Sequence, residues 1–123
     1  MNDNYKRILD QYMHSSQNHN YEDVFINLFN MSKELHYLKN SFDYTGINSL
    51  GDFIHQYSYN TVIEMCKIKN IQFEDKDLLL LDVFCGGASI MYQHYILGKF
   101  DLSPQQAGKT LYQMFPDVFK ISW

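Results

Sequence analysis

An all-α domain of about five helices is what this sequence predicts, and three observations predict it. Apolar residues recur at the helical period over long stretches, and no strand-like alternation or internal repeat is worth counting. The helix breakers are few, 6 glycines and 2 prolines in 123 residues, and they fall where helices should start, stop or touch. A chain of this length suits one domain, 1–123, with no room for two independent cores. Hydrophobic residues at 46% and charged residues at 20% match an ordinary globular domain, so a folded chain is expected.

Tyr5 to Met13 is a short helix candidate, with Ser15 to Asn20 as a polar linker after it. From Tyr21 to Phe42, the positions Val24, Leu28, Met31, Leu35, Leu38 and Phe42 step by four and three, and Phe25, Phe29 and His36 widen the stripe. Asp43-Tyr-Thr-Gly46 reads as a turn cluster. Asn48 or Ser49 is placed to cap the next helix, and Ser49 with Asp52 resembles a capping box. Leu50, Phe53, Ile54, Tyr57, Thr61, Met65 and Ile68 then line one face up to the polar break Lys69-Asn70.

Leu78 to Leu97, preceded by Glu74-Asp75-Lys76-Asp77, is apolar almost all round, which predicts burial both by its own domain and by a partner. Gly98 and Lys99 mark its exit. Ser103, Pro104 and Gln106 then supply a cap, a first-turn proline and a reciprocal third residue for a last helix, Pro104 to Phe115, stopped by Pro116. The tail through Phe119, Ile121 and Trp123 is expected to pack back or to meet a partner.

Charge and motif content narrow the function. With 10 Lys+Arg against 14 Asp+Glu, the net charge is -4, the pI is about 5.6, and Arg7 is the one arginine. The sequence thus lacks the basic patch that tracks a phosphate backbone. The common catalytic signatures are missing: no GxSxG, phosphate loop, HExxH or EF-hand loop. His14, His19, His36, His55 and His94 are scattered, and His14 and His19 do not have one-turn spacing, so no metal or cofactor is expected. Cys66 and Cys85 lie in apolar periodic segments and read as reduced, buried thiols of a cytoplasmic protein. No secretory leader is seen, and Leu78 to Met91 is interrupted by Asp82 and Gly86-Gly87, so no membrane span is expected.

Two features call for an explanation. A carboxylate at Asp82, inside an apolar run, either faces water or is held in a cavity with a partner, because a lone buried charge is expensive. Gly86-Gly87 and Gly108 sit in helix interiors, where each glycine costs about 1 kcal/mol relative to alanine. Close helix approach within the helix pair or across a symmetric dimer would offset that cost; exposed, merely tolerated glycines are the other reading.

Phe84-Cys-Gly86-Gly87, about ten mostly apolar residues, Gly98, then Asp101-Leu-Ser103-Pro104-Gln105-Gln106-Ala107 and Leu111 together resemble the C-terminal regulatory domain of TetR/AcrR-type transcription regulators. The likeness is sharpest over Leu78 to Met114, and the two preceding helices match in order and length. Gln105-Gln106 stands where the family often has Glu-Glu, and His94 or Tyr95 where it often has tryptophan. The family's N-terminal helix-turn-helix domain has no counterpart in these residues.

The resemblance implies a non-enzymatic domain that senses a small-molecule effector, dimerises, and reaches DNA only through a helix-turn-helix domain outside this chain. The last two long helices would form a dimeric four-helix bundle, and Tyr5 to Met13 would be the connecting helix. Aromatic and polar positions nominate Phe25, Phe29, Phe53, Tyr57, Asp82 and Tyr92 for an effector pocket, with His55 and His94 as further polar anchors. Phe84, Gly87, Met91, Gly108, Leu111 and Phe115 are nominated for the homodimer interface. The composition also suits a small acidic all-α interaction module, such as an immunity protein, antitoxin or adaptor.

Overall fold

The structure is a computed structural model that describes residues 18–35 and 44–121, together with residues 7, 10 and 11. Among the described residues the fold is all-α: α1 (Tyr21–Leu35), α2 (Tyr44–Lys69), α3 (Asp75–Ile96) and α4 (Pro104–Met114), followed by a 3-10 turn at Asp117–Phe119. Of the expected first helix, Arg7, Asp10 and Gln11 are described and are helical. The rest of it, and 36–43 at the expected end of α1, lie outside the described residues.

Helix ends follow local chemistry. The Asp23 amide donates to Asn20 Oδ1 at 3.0 Å, which starts α1. At α4, Ser103 Oγ accepts from the Gln106 amide at 3.1 Å while the Ser103 amide donates to Gln106 Oε1 at 3.0 Å, the reciprocal cap expected of that spacing. The Glu74 amide donates to Asp77 Oδ2 at 2.8 Å, so α3 starts three residues before Leu78.

Two helices end in the same way. Gly98, at φ 81°, sends its amide to the Tyr95 carbonyl while Lys99 reaches the carbonyl of His94, each at 3.0 Å. Asn70, at φ 57°, and Ile71 close α2 likewise on Lys67 and Cys66. In both, a residue that tolerates the left-handed region satisfies the last carbonyls.

The start of α2 differs from expectation. Tyr44 to Gly46 are helical, and Ser49 lies inside the helix instead of capping it. Turn preferences of this size, about 0.5–1 kcal/mol per residue, yield to a helix already held by packing further along. The buried face of α2 also differs: Ile54, Val62 and Cys66 are inside, spaced by multiples of four along one ridge, whereas Ile68 is 75% exposed.

Packing joins α1 to α4 and α2 to α3, and α1 meets α3 to link the two pairs. The predicted α1 stripe Val24, Leu28 and Met31 is buried, with Phe25 and Phe29 beside it. From α3 the inner face is Leu81, Cys85, Ser89, Tyr92 and Ile96. Tyr92 donates its hydroxyl to the Leu28 carbonyl at 2.9 Å, so this buried polar tip is satisfied across the α1–α3 contact. Phe119 packs back into the core against Phe73 and Phe115, as one reading of the tail expected.

Candidate functional site

The six residues nominated for an effector pocket do not converge. Phe25, Phe29 and Tyr92 are packed core: Phe25 meets Phe84 and Phe115 at ring-centroid distances of 5.7 and 5.2 Å, and Phe29 meets Tyr92 at 5.6 Å. The interior cavity beside Phe25 measures about 20 Å³, room for one water. Phe53 and Tyr57 stack on each other on α2, where Tyr57 donates its hydroxyl to Asp10. Burial and the carboxylate of Asp10 push that phenol well above its ordinary range. Asp82 is exposed and pairs with His55 Nε2 at 2.8 Å, the solvent-facing alternative for that carboxylate. Among the described residues, the core aromatics Phe25, Phe29 and Tyr92 pack against other rings, and the cavity left beside Phe25 is water-sized.

The residues nominated for the dimer interface separate into two sets. Phe84, Gly87, Met91 and Leu111 line a groove of about 510 Å³ between α3 and α4, and Leu80, Val83 and Met114 join them there. Leu80, Val83 and Met114 are 55%, 67% and 73% exposed. Leu80, Val83, Gly87 and Ile90 step by three, four and three along α3, the spacing of a seam against another helix. A Cβ placed on Gly87 would touch nothing, so the seam is smooth at its centre.

Gly108 and Phe115 belong elsewhere. A Cβ on Gly108 would stand 2.6 Å from the Cα and amide nitrogen of Ile26, so this glycine permits the close crossing of α4 over α1 inside one subunit. Phe115 is core, with Tyr21, Phe25 and Phe84 around it. Leu80 and Val83 were missed for a physical reason: α3 is apolar on its inner and its outer side alike, so periodicity does not say which side faces water.

A second concavity, of about 810 Å³, lies between α2 and α3. Its walls hold Asp52 and His55 from α2, Gln93 and His94 from α3, and Lys99 just past the α3 exit. Two glycines form its floor. A Cβ on Gly51 would stand 1.9 Å from Gln93 Nε2, and one on Gly86 would stand 3.3 Å from His55 Cε1, so each helix offers a glycine over which the opposing helix lays a long polar side chain. Ser89 points its hydroxyl at the Gly86 carbonyl, 2.8 Å away. The glycine signal was legible at Gly86; Gly51 gave none.

Cys66 and Cys85 are free and buried. Burial, and secondarily the charge of Asp82, pushes the Cys85 thiol up to about 12, and burial raises Cys66 as well, so neither is a nucleophile at neutral pH. Among the described residues no group of three His, Cys, Asp or Glu side chains is placed to hold a metal, and no helix is long and apolar enough to cross a membrane. Comparison with family models, with curated proteins and with solved structures finds no match to this chain.

Proposed function

We propose that this chain is the dimerisation and effector-sensing domain of a TetR-like transcription regulator, non-enzymatic and cytoplasmic, acting on DNA through a helix-turn-helix domain outside these residues. The observation that carries the reading is the apolar α3–α4 face, where Leu80, Val83 and Met114 stand exposed around the smooth centre at Gly87. This is the pair of helices that the family resemblance assigns to the dimer. An acidic chain of net charge -4 repels its own copy over most of its surface, and the groove, lined by uncharged residues, is where two copies can meet without that opposition. Two unpaired, buried thiols suit a reducing compartment.

The closest approach of two α3 helices falls at Gly87, and side chains at Leu80, Val83 and Ile90 interdigitate on either side. Effector binding then works by favouring one arrangement of the paired domains over another. Sedimentation velocity at micromolar concentration tests the interface: the parent runs as a dimer. Val83→Glu, which buries two unpaired carboxylates per symmetric dimer, raises the dissociation constant at least ~100-fold while keeping the helical circular dichroism. A parent that stays monomeric at 100 µM overturns the proposal.

A further inference from the structure

We infer that Met114 is an oxidation site that controls the α3–α4 face: a peroxide converts its thioether to the sulfoxide, and the modified chain pairs poorly with a second copy. The inference rests on the dimer half of the proposed function and adds a chemical control to that same surface.

Three observations carry it. Met114 is the last residue of α4 and is 73% exposed, whereas Met31 is core at 1% and Met65 and Met91 are half-buried, so among the described methionines it is the one that solvent reaches most freely. It lines the groove together with Leu80, Val83, Met91, Leu111 and Pro116, and no side chain in that lining carries an N–H or O–H donor. The two cysteines do not compete for the oxidant. Both are buried, and burial pushes the Cys85 thiol up to about 12 and raises Cys66, so neither presents a thiolate at neutral pH.

Oxidation takes two electrons from the thioether. A sulfur lone pair captures one peroxide oxygen as the O–O bond breaks; an S–O bond forms, and the other oxygen leaves with both protons as water. The product is polar, and its oxygen accepts hydrogen bonds. On the free chain that oxygen is turned to water. Between two copies it is enclosed by a lining with no side-chain donor, and an acceptor buried without a partner loses its hydration for nothing. Symmetric pairing doubles the effect, since each copy brings one sulfoxide to the same face. A dithiol reductant acting through a methionine sulfoxide reductase reverses the step: the oxygen leaves as water and the dithiol becomes a disulfide. Pairing covers Met114, so the oxidant acts on the dissociated chain, and the dissociated fraction sets the rate.

Peroxide treatment of the full chain, followed by peptide mass spectrometry and sedimentation velocity, tests the inference. A gain of one oxygen should appear at Met114 before Met31, Met65 or Met91, and more slowly as protein concentration rises through the range in which the dimer forms. The oxidised protein should keep the parent's helical circular dichroism and show a dissociation constant at least ~10-fold higher than the untreated chain. Met114→Leu, compared with itself before and after peroxide, should show no such rise, which separates Met114 from every other methionine. Met91→Leu should still show it. Reductase with a dithiol should return the oxidised parent to its starting dissociation constant. A dimer that is as tight after complete conversion of Met114, or a rise that persists in Met114→Leu, overturns the inference and leaves the dimer standing. A parent that is monomeric at every concentration overturns the dimer reading and the inference with it.

Discussion

Gly108 shows how much one missing methyl group decides. With the Ile26 backbone 2.6 Å from where a Cβ would sit, Gly108→Ala forces α4 away from α1. Overpacking of this kind typically costs about 1–3 kcal/mol, which exceeds the roughly 1 kcal/mol that alanine gains over glycine in a helix. Urea unfolding should show a net loss of stability in this variant; an unchanged or raised midpoint would mean that the crossing is loose.

Cys85 makes a pH prediction. Its thiol ordinarily ionises near 9.0 and in the fold is held protonated up to about 12. Between those values the folded chain keeps a proton that the unfolded chain has released, so stability falls as pH rises, by at most about 1.4 kcal/mol per pH unit. Below about 9 the thiol is neutral in both states and contributes no slope. Cys66, Tyr21 and Tyr57, all raised by burial, act in the same direction. Unfolding midpoints should therefore be insensitive to these groups from pH 6 to 8 and drop from pH 9 to 10.5. Cys85→Ala should drop less steeply than the parent.

At the scale of elements, the legible parts were those set by a few adjacent residues. Ser103, Pro104 and Gln106 specify the start of α4 through hydrogen bonds within one turn, and Gly98 specifies the end of α3 through a backbone angle that side chains resist. The stripe of α1 was legible because only one side of that helix is apolar over Val24, Leu28 and Met31. The start of α2 was not legible, since Tyr44 to Gly46 favours a turn locally and is carried into the helix by contacts further along the chain. Its buried face was not legible either: with Phe53, Ile54, Tyr57, Val62, Met65 and Cys66 spread around the helix, the choice of ridge falls to α3.

For the whole molecule, the two helix glycines that sequence reasoning assigned to one interface are expected to give opposite results. Gly87 faces open space in the single chain, so Gly87→Leu should raise the unfolding midpoint of the monomer through better helix propensity, by about 0.8 kcal/mol. The same variant should weaken the proposed dimer ~10-fold or more by holding the α3 helices apart. Gly108→Leu should instead destabilise the subunit itself. Unfolding followed over a range of concentrations that spans dissociation of the proposed dimer separates these effects, and a Gly87→Leu protein that dimerises as tightly as the parent would remove Gly87 from the proposed interface.

The sequence by itself determined an all-α chain, the caps and exits of its last two helices and the buried state of both thiols. Each of these depends on residues close in the chain or on the plain preference of apolar groups to leave water. Only the tertiary structure decided which side of α3 is inner and which is bare, that Gly108 belongs to the α1–α4 crossing, and that Asp52, His55, Gln93 and Lys99 share a cleft. Those facts depend on pairings far apart in sequence, such as Tyr92 with Leu28 across 64 positions and His55 with Asp82 across 27. A helix that is apolar on two sides meets its periodicity with either side inward, and the neighbours that break the tie come from elsewhere in the chain.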